Sequence, residues 1–402
     1  VVNLRSSLLG LQSYVPGRKS PGAVVLASNE CPYGLLPGVA ARLAELTGGL
    51  SRYPDMGATR LLEALAARHE VSPDRIAVGA GSSEVCGQVL HTVCGPGSEV
   101  VFGWRSFEAY PILTTVAGGV PVRVPLRDHV QDLPAMAAAI TPRTRLVFVC
   151  NPNNPTSTPV GEAALRAFVD QVPEDVLIAV DEAYHEYADP SAVPDALALF
   201  GDRPNVVVLR TFSKAYALAG LRVGYCVGPP EIIAQVRKTQ TPFSVSALAQ
   251  EAAVAALREH EEVDRRVALT VKERDRVTGE LQALGYDLPP SQANFLWLPL
   301  GQDSAPFADH CHGNGVIVRA FPGEGVRVTV GLPEENSAFL APAATFRATT
   351  AEGQTAVPDA IGAGTPQAPP VTSSTPRSSR RPRVSLNEVS TTTSDTAASP
   401  TM

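Results

Sequence analysis

The sequence predicts an α/β fold: a mostly parallel sheet between helices, followed by a smaller α+β domain. Three observations predict it. Short apolar runs alternate with helical patterns over the first 240 residues, the order that wraps helices around a parallel sheet. Several of these runs are apolar almost throughout, as strands covered on both faces must be. After about Thr241 the pattern changes to a long helical stretch, then three short runs separated by Gly and Pro.

Residues 1–27 read as an N-terminal arm. The opening VVNLRSSLLGLQSY has neither a long apolar core nor a clear cleavage site, so no signal peptide is expected. The large domain is placed at 28–240. TRLLEALAARHE and SSEVCGQVLHTVC carry helical patterns. RIAVGAG, EVVFGW, VPVRVPL, RLVFVCN, DVLIAVDE, NVVVLRTF and RVGYCVG read as strands. The small domain is placed at 241–343. It holds the helical stretch after Phe243, then strands in NFLWLPL, GVIVRAF and GVRVTVGL. From 344 to 402 Thr, Ser, Ala and Pro dominate, and such a segment buries too little apolar surface to offset chain entropy, so a disordered tail is expected. Its cluster Arg377, Arg380, Arg381 and Arg383 suits either solvent or an anionic partner.

The chain has 402 residues, 44% hydrophobic and 18% charged, enough for a large core. A formal charge of −7 argues against a nucleic-acid binder. No apolar run approaches the ~20 residues of a membrane span. Six cysteines occur with no CxxC pair, which points to a reducing, cytoplasmic setting.

Ligands of such sheets bind beyond the carboxyl ends of the strands, and four segments there carry chemistry. AVGAGSSE ends a strand and opens a helix, so Gly79 and Gly81 admit close approach and Ser82 and Ser83 offer hydroxyls to a phosphate. Glu84 stands where a dinucleotide fingerprint would need its third glycine, and plain N-capping by Ser82 is the competing explanation. VLIAVDEAYHEY sends an apolar strand into Asp181, Glu182 and Tyr184. A carboxylate there either caps a helix or serves as counter-ion to a cationic ring nitrogen, with Tyr184 donating nearby. FVCNPNNPTST fixes an extended turn through two Asn-Pro steps, and Asn154 either presents its amide to a ligand oxygen or is one more polar turn residue.

RTFSKAYALAGLRVGY places Lys214 and Arg222 among residues that otherwise look buried. Lys214 is a nucleophile when deprotonated, and the fork of donors on Arg222 suits a dianionic phosphate, with Thr211 and Ser213 adding hydroxyls. The competing explanation is a pair of surface cations. Jointly, the four segments supply a phosphate cradle, a ring counter-ion, donors to a phenolic oxygen and an imine-forming amine. These are the groups that pyridoxal 5′-phosphate requires.

With LASNECPYG, RYPD, GAGSSE, CNPNNPT, VDEAYHEY, RTFSKAY, LAGLRVGY, ANFLWL and GVRVTVGLPEEN in order, residues 8–340 resemble the fold-type I pyridoxal-phosphate aminotransferases of the histidinol-phosphate aminotransferase group. WRSFEAYP and SYVPGR are most similar to the actinobacterial aromatic amino acid aminotransferases within it. The resemblance implies a seven-stranded large domain and a homodimer with shared active sites. It implies that Lys214 forms the imine with the cofactor, Asp181 pairs with the ring nitrogen, and Tyr184 and Asn154 bind the phenolic oxygen. Phe107 would stack on the ring. Ser82, Ser83, Thr211, Ser213 and Arg222 would hold the phosphate, with Tyr53 reaching the partner's phosphate. Arg327 would take the substrate's anionic group, and Tyr14, Asn29 and Arg319 would line the substrate pocket. No metal is implied.

Two positions depart from the pattern: Ser157 and Ala217 stand where the family commonly has glycine. The activity expected is transfer of an amino group from an aromatic amino acid to a 2-oxo acid such as 2-oxoglutarate. Histidinol phosphate as donor, a decarboxylase of the same fold, a role in specialised metabolism and a non-catalytic regulator using the basic tail are the alternatives.

Overall fold

Eleven strands form two sheets in the computed structural model, which describes residues 2–13, 18 and 20–355. In chain order they are β1 (Val24–Leu26), β2 (Ile76–Gly79), β3 (Glu99–Trp104), β4 (Val120–Pro125), β5 (Thr144–Cys150), β6 (Leu177–Asp181), β7 (Val206–Thr211), β8 (Gly224–Val227), β9 (Phe295–Leu298), β10 (Val316–Phe321) and β11 (Gly325–Thr329). Seven of them make the large sheet, in the order β2-β8-β7-β6-β5-β3-β4. It is parallel apart from β8, which runs antiparallel to both β7 and β2.

The continuous apolar runs are explained by cover on both faces. Along β5, β6 and β7, alternate side chains enter two different cores. Leu146, Phe148, Ala179 and Leu209 pack with Val85, Val89 and Tyr110 on one side. Val147, Val149, Ile178 and Val208 pack with Leu165, Phe168 and Phe200 on the other. Burying one such side chain contributes about 1.5–3 kcal/mol, so register is fixed and the strand ends are rigid points for chemistry. Because Cys150 pairs with Asp181, and Asp181 with Leu209, the ends of β5, β6 and β7 present their loops side by side.

The small sheet has the order β1-β10-β11-β9. The expected strands are there, but β1 comes from the segment read as an arm, paired in parallel with β10. Three residues are too short a run for periodicity to reveal. Leu26 is nevertheless fully part of this core, with Leu281, Leu296, Phe307 and Phe339.

Two boundaries differ from those expected. Val245, Ala249, Ala253 and Val263, placed in the small domain, pack with Leu61, Leu65 and Tyr225 of the large one. Residues up to Thr355 cluster as one compact unit. The last helix, Pro333–Thr355, also runs past 344, where composition predicts the tail. Phe346 stacks edge-on against Phe307, Tyr286 donates to the Ala343 carbonyl at 2.8 Å, and Arg347 donates to the Gly285 carbonyl at 2.7 Å. Composition cannot see these tertiary partners. The tail from 356 onward, with its arginine cluster, lies outside the described residues. Among the described residues, no helix is long and apolar enough to cross a membrane.

Both family departures fall where glycine has a physical advantage. Ser157 has φ 60° and Ala217 has φ 59°, the left-handed region in which a Cβ is crowded. Ser157 is wholly buried, and its neighbours compensate: its N–H reaches the Asn153 carbonyl at 2.8 Å and its carbonyl accepts from Gln292 at 2.9 Å. Ala217 closes the turn after Lys214 with one bond to the Lys214 carbonyl at 3.0 Å. Ala217→Gly should therefore stabilise the protein by about 1 kcal/mol in denaturant unfolding. An unchanged or lower stability would show that the turn carries no such strain.

Candidate active site

A cavity of about 500 Å³ opens at the carboxyl ends of the strands. Its wall includes Asn29, Ser82, Ser83, Phe107, Asn154, Asp181, Tyr184, Thr211, Ser213, Lys214, Arg222, Arg319 and Arg327. Thirteen of the fifteen site residues named from sequence thus meet in one place. Tyr53 does not: it is 82% exposed and stacks on Phe243 with ring centroids 4.6 Å apart. Tyr14 lies outside the described residues.

One end of the cavity is a cradle for an anion. The twelve-residue helix Ser82–Val93 starts there, and the first N–H groups of a helix have no internal partner. Ser82 is not its cap. The capping position is Gly81, at φ 82°, and the helix has no side-chain cap bond, which leaves the serine hydroxyls for a ligand. Glu84, the residue that spoils the dinucleotide fingerprint, accepts the Ala80 N–H and so shapes the turn. Arg222 reaches the same turn, donating to the Ala80 carbonyl at 3.4 Å, to Ser213 Oγ at 3.4 Å and to the Ala219 carbonyl at 3.0 Å. Thr211 and Ser213 are linked at 3.0 Å. Two glycines make the approach feasible: a Cβ on Gly81 would strike the Arg222 guanidinium, and one on Gly224 would strike the backbone N of Ser82.

Asp181 ends β6 and is buried. Its carboxylate accepts from the Tyr110 hydroxyl at 2.6 Å and from the Ala183 N–H at 3.3 Å, and among the described residues it has no ion pair. Burial lifts its pKa above the ordinary carboxylate value, against the pull of those two donors. Such a group is best satisfied by a cationic N–H arriving from the cavity. Tyr110 was missed in the sequence, although it lies three positions beyond Phe107 in the same motif, where a partner of Asp181 could have been sought. Glu182, next in sequence, points elsewhere. It forms a buried pair with Arg210 at 2.8 Å and accepts the Ala196 N–H at 2.8 Å, so its role is structural.

Lys214 opens into the cavity and donates to the Ser28 carbonyl at 3.1 Å. Burial, then the charges of Arg327 and Arg222, lower its pKa to about 7, while Glu30 opposes them. Tyr184 is buried, and its oxygen accepts from Asn29 Nδ2 at 2.9 Å, which turns the hydroxyl proton toward a ligand. Asn29, expected in the substrate pocket, thus acts as an orienting group as well; its backbone N–H is held by Thr329 Oγ1 at 2.9 Å. Asn154 Oδ1 accepts from Arg327 Nη1 at 2.6 Å, so its amide donors face away from Arg327. Arg327 Nη2 donates to the Ala27 carbonyl at 2.6 Å, and Arg319 pairs with Glu108 at 3.0 Å.

These groups fit the cofactor that the motifs imply. There is an anion cradle at a helix start, a buried carboxylate awaiting a cation, two donors for a phenolic oxygen and an amine close to neutral. In the cofactor-free protein, Lys214 should be trinitrophenylated by trinitrobenzenesulfonate, the amine displacing sulfite, at a rate that rises through about pH 7, because its neutral form predominates above that value. A midpoint near the 10.5 of an ordinary lysine would contradict the depressed pKa.

The model of the family "Aminotransferase class I and II" matches residues 21–342. The aromatic amino acid aminotransferase of Thermobifida fusca is 53% identical over 347 residues, covering 85% of this chain and 97% of that protein. That of Mycobacteroides abscessus is 55% identical over 337 residues, covering 84% and 97%. Among solved structures, the histidinol-phosphate aminotransferase of Sinorhizobium meliloti in complex with pyridoxal 5′-phosphate has a TM-score of 0.80 at 27% identity, covering 87% of this chain and 99% of that one.

Proposed function

We propose the activity of this chain from its family, for it belongs to the class I and II aminotransferases. It is a pyridoxal-phosphate-dependent transaminase that moves an amino group from an aromatic amino acid to a 2-oxo acid such as 2-oxoglutarate. The observation that carries the reading is the convergence of Lys214, Asp181 and the Arg222 cradle on one cavity. The aromatic preference is supported by the apolar wall of Phe107, Ala109, Ile112 and Leu113, and by the names of the relatives.

When bound, pyridoxal 5′-phosphate supplies an aldehyde that takes up the amine and a ring that accepts the electrons left when Cα loses a proton. The chain's own residues do the rest. Lys214, an amine with a pKa of about 7, can take the Cα proton and give it back, the behaviour of a general base and acid near the operating pH. Asp181, held by Tyr110, stabilises positive charge on the ring nitrogen from within a region of low dielectric. Tyr184 and Asn154 would orient the ring through its phenolic oxygen. Ser82, Ser83, Thr211, Ser213 and Arg222 would hold the phosphate, and Phe107 would pack against the ring. Arg327 receives the substrate's carboxylate.

A cytoplasmic homodimer belongs to the same reading. All six cysteines are free thiols, and Tyr53 is exposed outside the cavity of its own chain, which supports a role for it in a partner's site.

Lys214→Ala should lower kcat by more than about 10³-fold in a phenylalanine–2-oxoglutarate assay, the scale of losing a nucleophile and general base together. Activity near that of the parent would overturn the assignment. Asp181→Asn should lower kcat by about 10²-fold with a smaller change in KM; an unchanged kcat would remove its electrostatic role. A half-reaction screen tests the donor. The absorbance of the aldehyde form should be lost with phenylalanine or tyrosine and kept with histidinol phosphate, and the reverse result would favour the histidinol-phosphate reading.

A further inference from the structure

We propose that Glu108 is a specificity determinant: it holds Arg319 in a neutral ion pair at the cavity wall, and so selects against amino donors that carry a second anionic group. The inference rests on the aminotransferase reading above and extends it to the choice of substrate.

Arg319 and Arg327 are direct cross-strand partners on β10 and β11, and both line the cavity. Like charges placed opposite each other are unfavourable unless something separates or compensates them. The compensation reaches Arg319: its Nη2 donates to Glu108 Oε2 at 3.0 Å. Glu108 belongs to the segment that forms the apolar wall, between Phe107 and the helix Ala109–Val116 that carries Ile112 and Leu113.

That segment is itself held against the β10–β11 hairpin. Arg105 grips both carboxylate oxygens of Glu324, the residue just before β11, and lies over the rings of Trp104 and Phe321 at 4.4 and 5.4 Å. The two pairs run in opposite senses. The 105–108 segment gives a cation to the hairpin at Arg105 and an anion at Glu108. Glu108 is therefore presented to Arg319 by a fixed piece of backbone.

The consequence is electrostatic. With Glu108 in place, the charge of Arg319 is met by a carboxylate, and an aromatic side chain can lie against the wall of Ile112 and Leu113 without desolvating an isolated cation. A donor with a distal carboxylate or phosphate meets a carboxylate already seated on Arg319 and must displace it. Selection of this kind works by repulsion as much as by attraction. The Arg319 and Glu108 side chains keep 15% and 27% of their surface exposed, so the pair borders solvent and a ligand entering the cavity can reach it. The same competition applies to 2-oxoglutarate as acceptor.

The test is Glu108→Gln, which keeps the shape and one acceptor but removes the charge. Half-reactions would be followed with glutamate, histidinol phosphate and phenylalanine on the holoenzyme. In E108Q, kcat/KM for glutamate and for histidinol phosphate should rise at least about fivefold over the parent, with the phenylalanine value level or lower. The gain should vanish in the double variant E108Q/R319Q. Unchanged values for the anionic donors, or a gain that survives loss of Arg319, would overturn the proposal. The effect is read on anionic donors, variant against parent, so it stays measurable if phenylalanine proves a poor donor; that separate outcome would count against the aromatic reading alone.

Discussion

Asp181 is the group on which the site depends. A carboxylate at the inner end of a buried strand has lost its water and in return has a phenol and one long N–H bond. That exchange leaves it short of partners, and the raised pKa expresses the deficit. Lys214, across the same cavity, has the mirror problem, and its pKa falls. Burial thus pushes the acid and the base toward their neutral forms together. A ligand that brings a cationic N–H to one and an aldehyde to the other relieves both. The sheet makes this possible: the paired ends of β5, β6 and β7, fixed by two cores, hold Asp181 at the cavity wall.

The remainder of the site shows the same economy with charge. Arg210 and Glu182 neutralise each other behind the cavity, one residue from Thr211 and Asp181 respectively, and so tie the ends of β6 and β7. Arg319 and Glu108 do so at the wall. Arg222 is set against a turn made only of small residues, where the glycines at 81 and 224 let backbone N–H groups and a guanidinium converge. The cations that face the cavity are therefore placed by their partners rather than by chance exposure.

Most of the fold was legible in the sequence because its signal is local. Ten of the eleven strands lie within runs read from the sequence, several of them apolar because both faces are covered, and the site motifs lie at the ends of strands of the large sheet. What escaped the sequence was set by contacts distant along the chain. The strand Val24–Leu26 exists only because β10 is there to pair with it. The helix beyond residue 344 exists because Phe346 meets Phe307. Glu182 and Asp181 look alike in sequence, and only the neighbouring strand, which supplies Arg210 to one and leaves the other to the cavity, separates their roles. Tyr110 and Glu108 lay within a quoted motif but needed the third dimension to reveal what they face.

The most direct measurement is the ionisation of Asp181 itself, followed by carboxyl-carbon NMR in the cofactor-free protein and again after loading with pyridoxal 5′-phosphate, with Asp181→Asn to assign the signal. The account predicts a midpoint above the ordinary aspartate range in the free protein, falling when the ring nitrogen provides a cation. An ordinary midpoint in the free protein, or one that loading does not move, would contradict it.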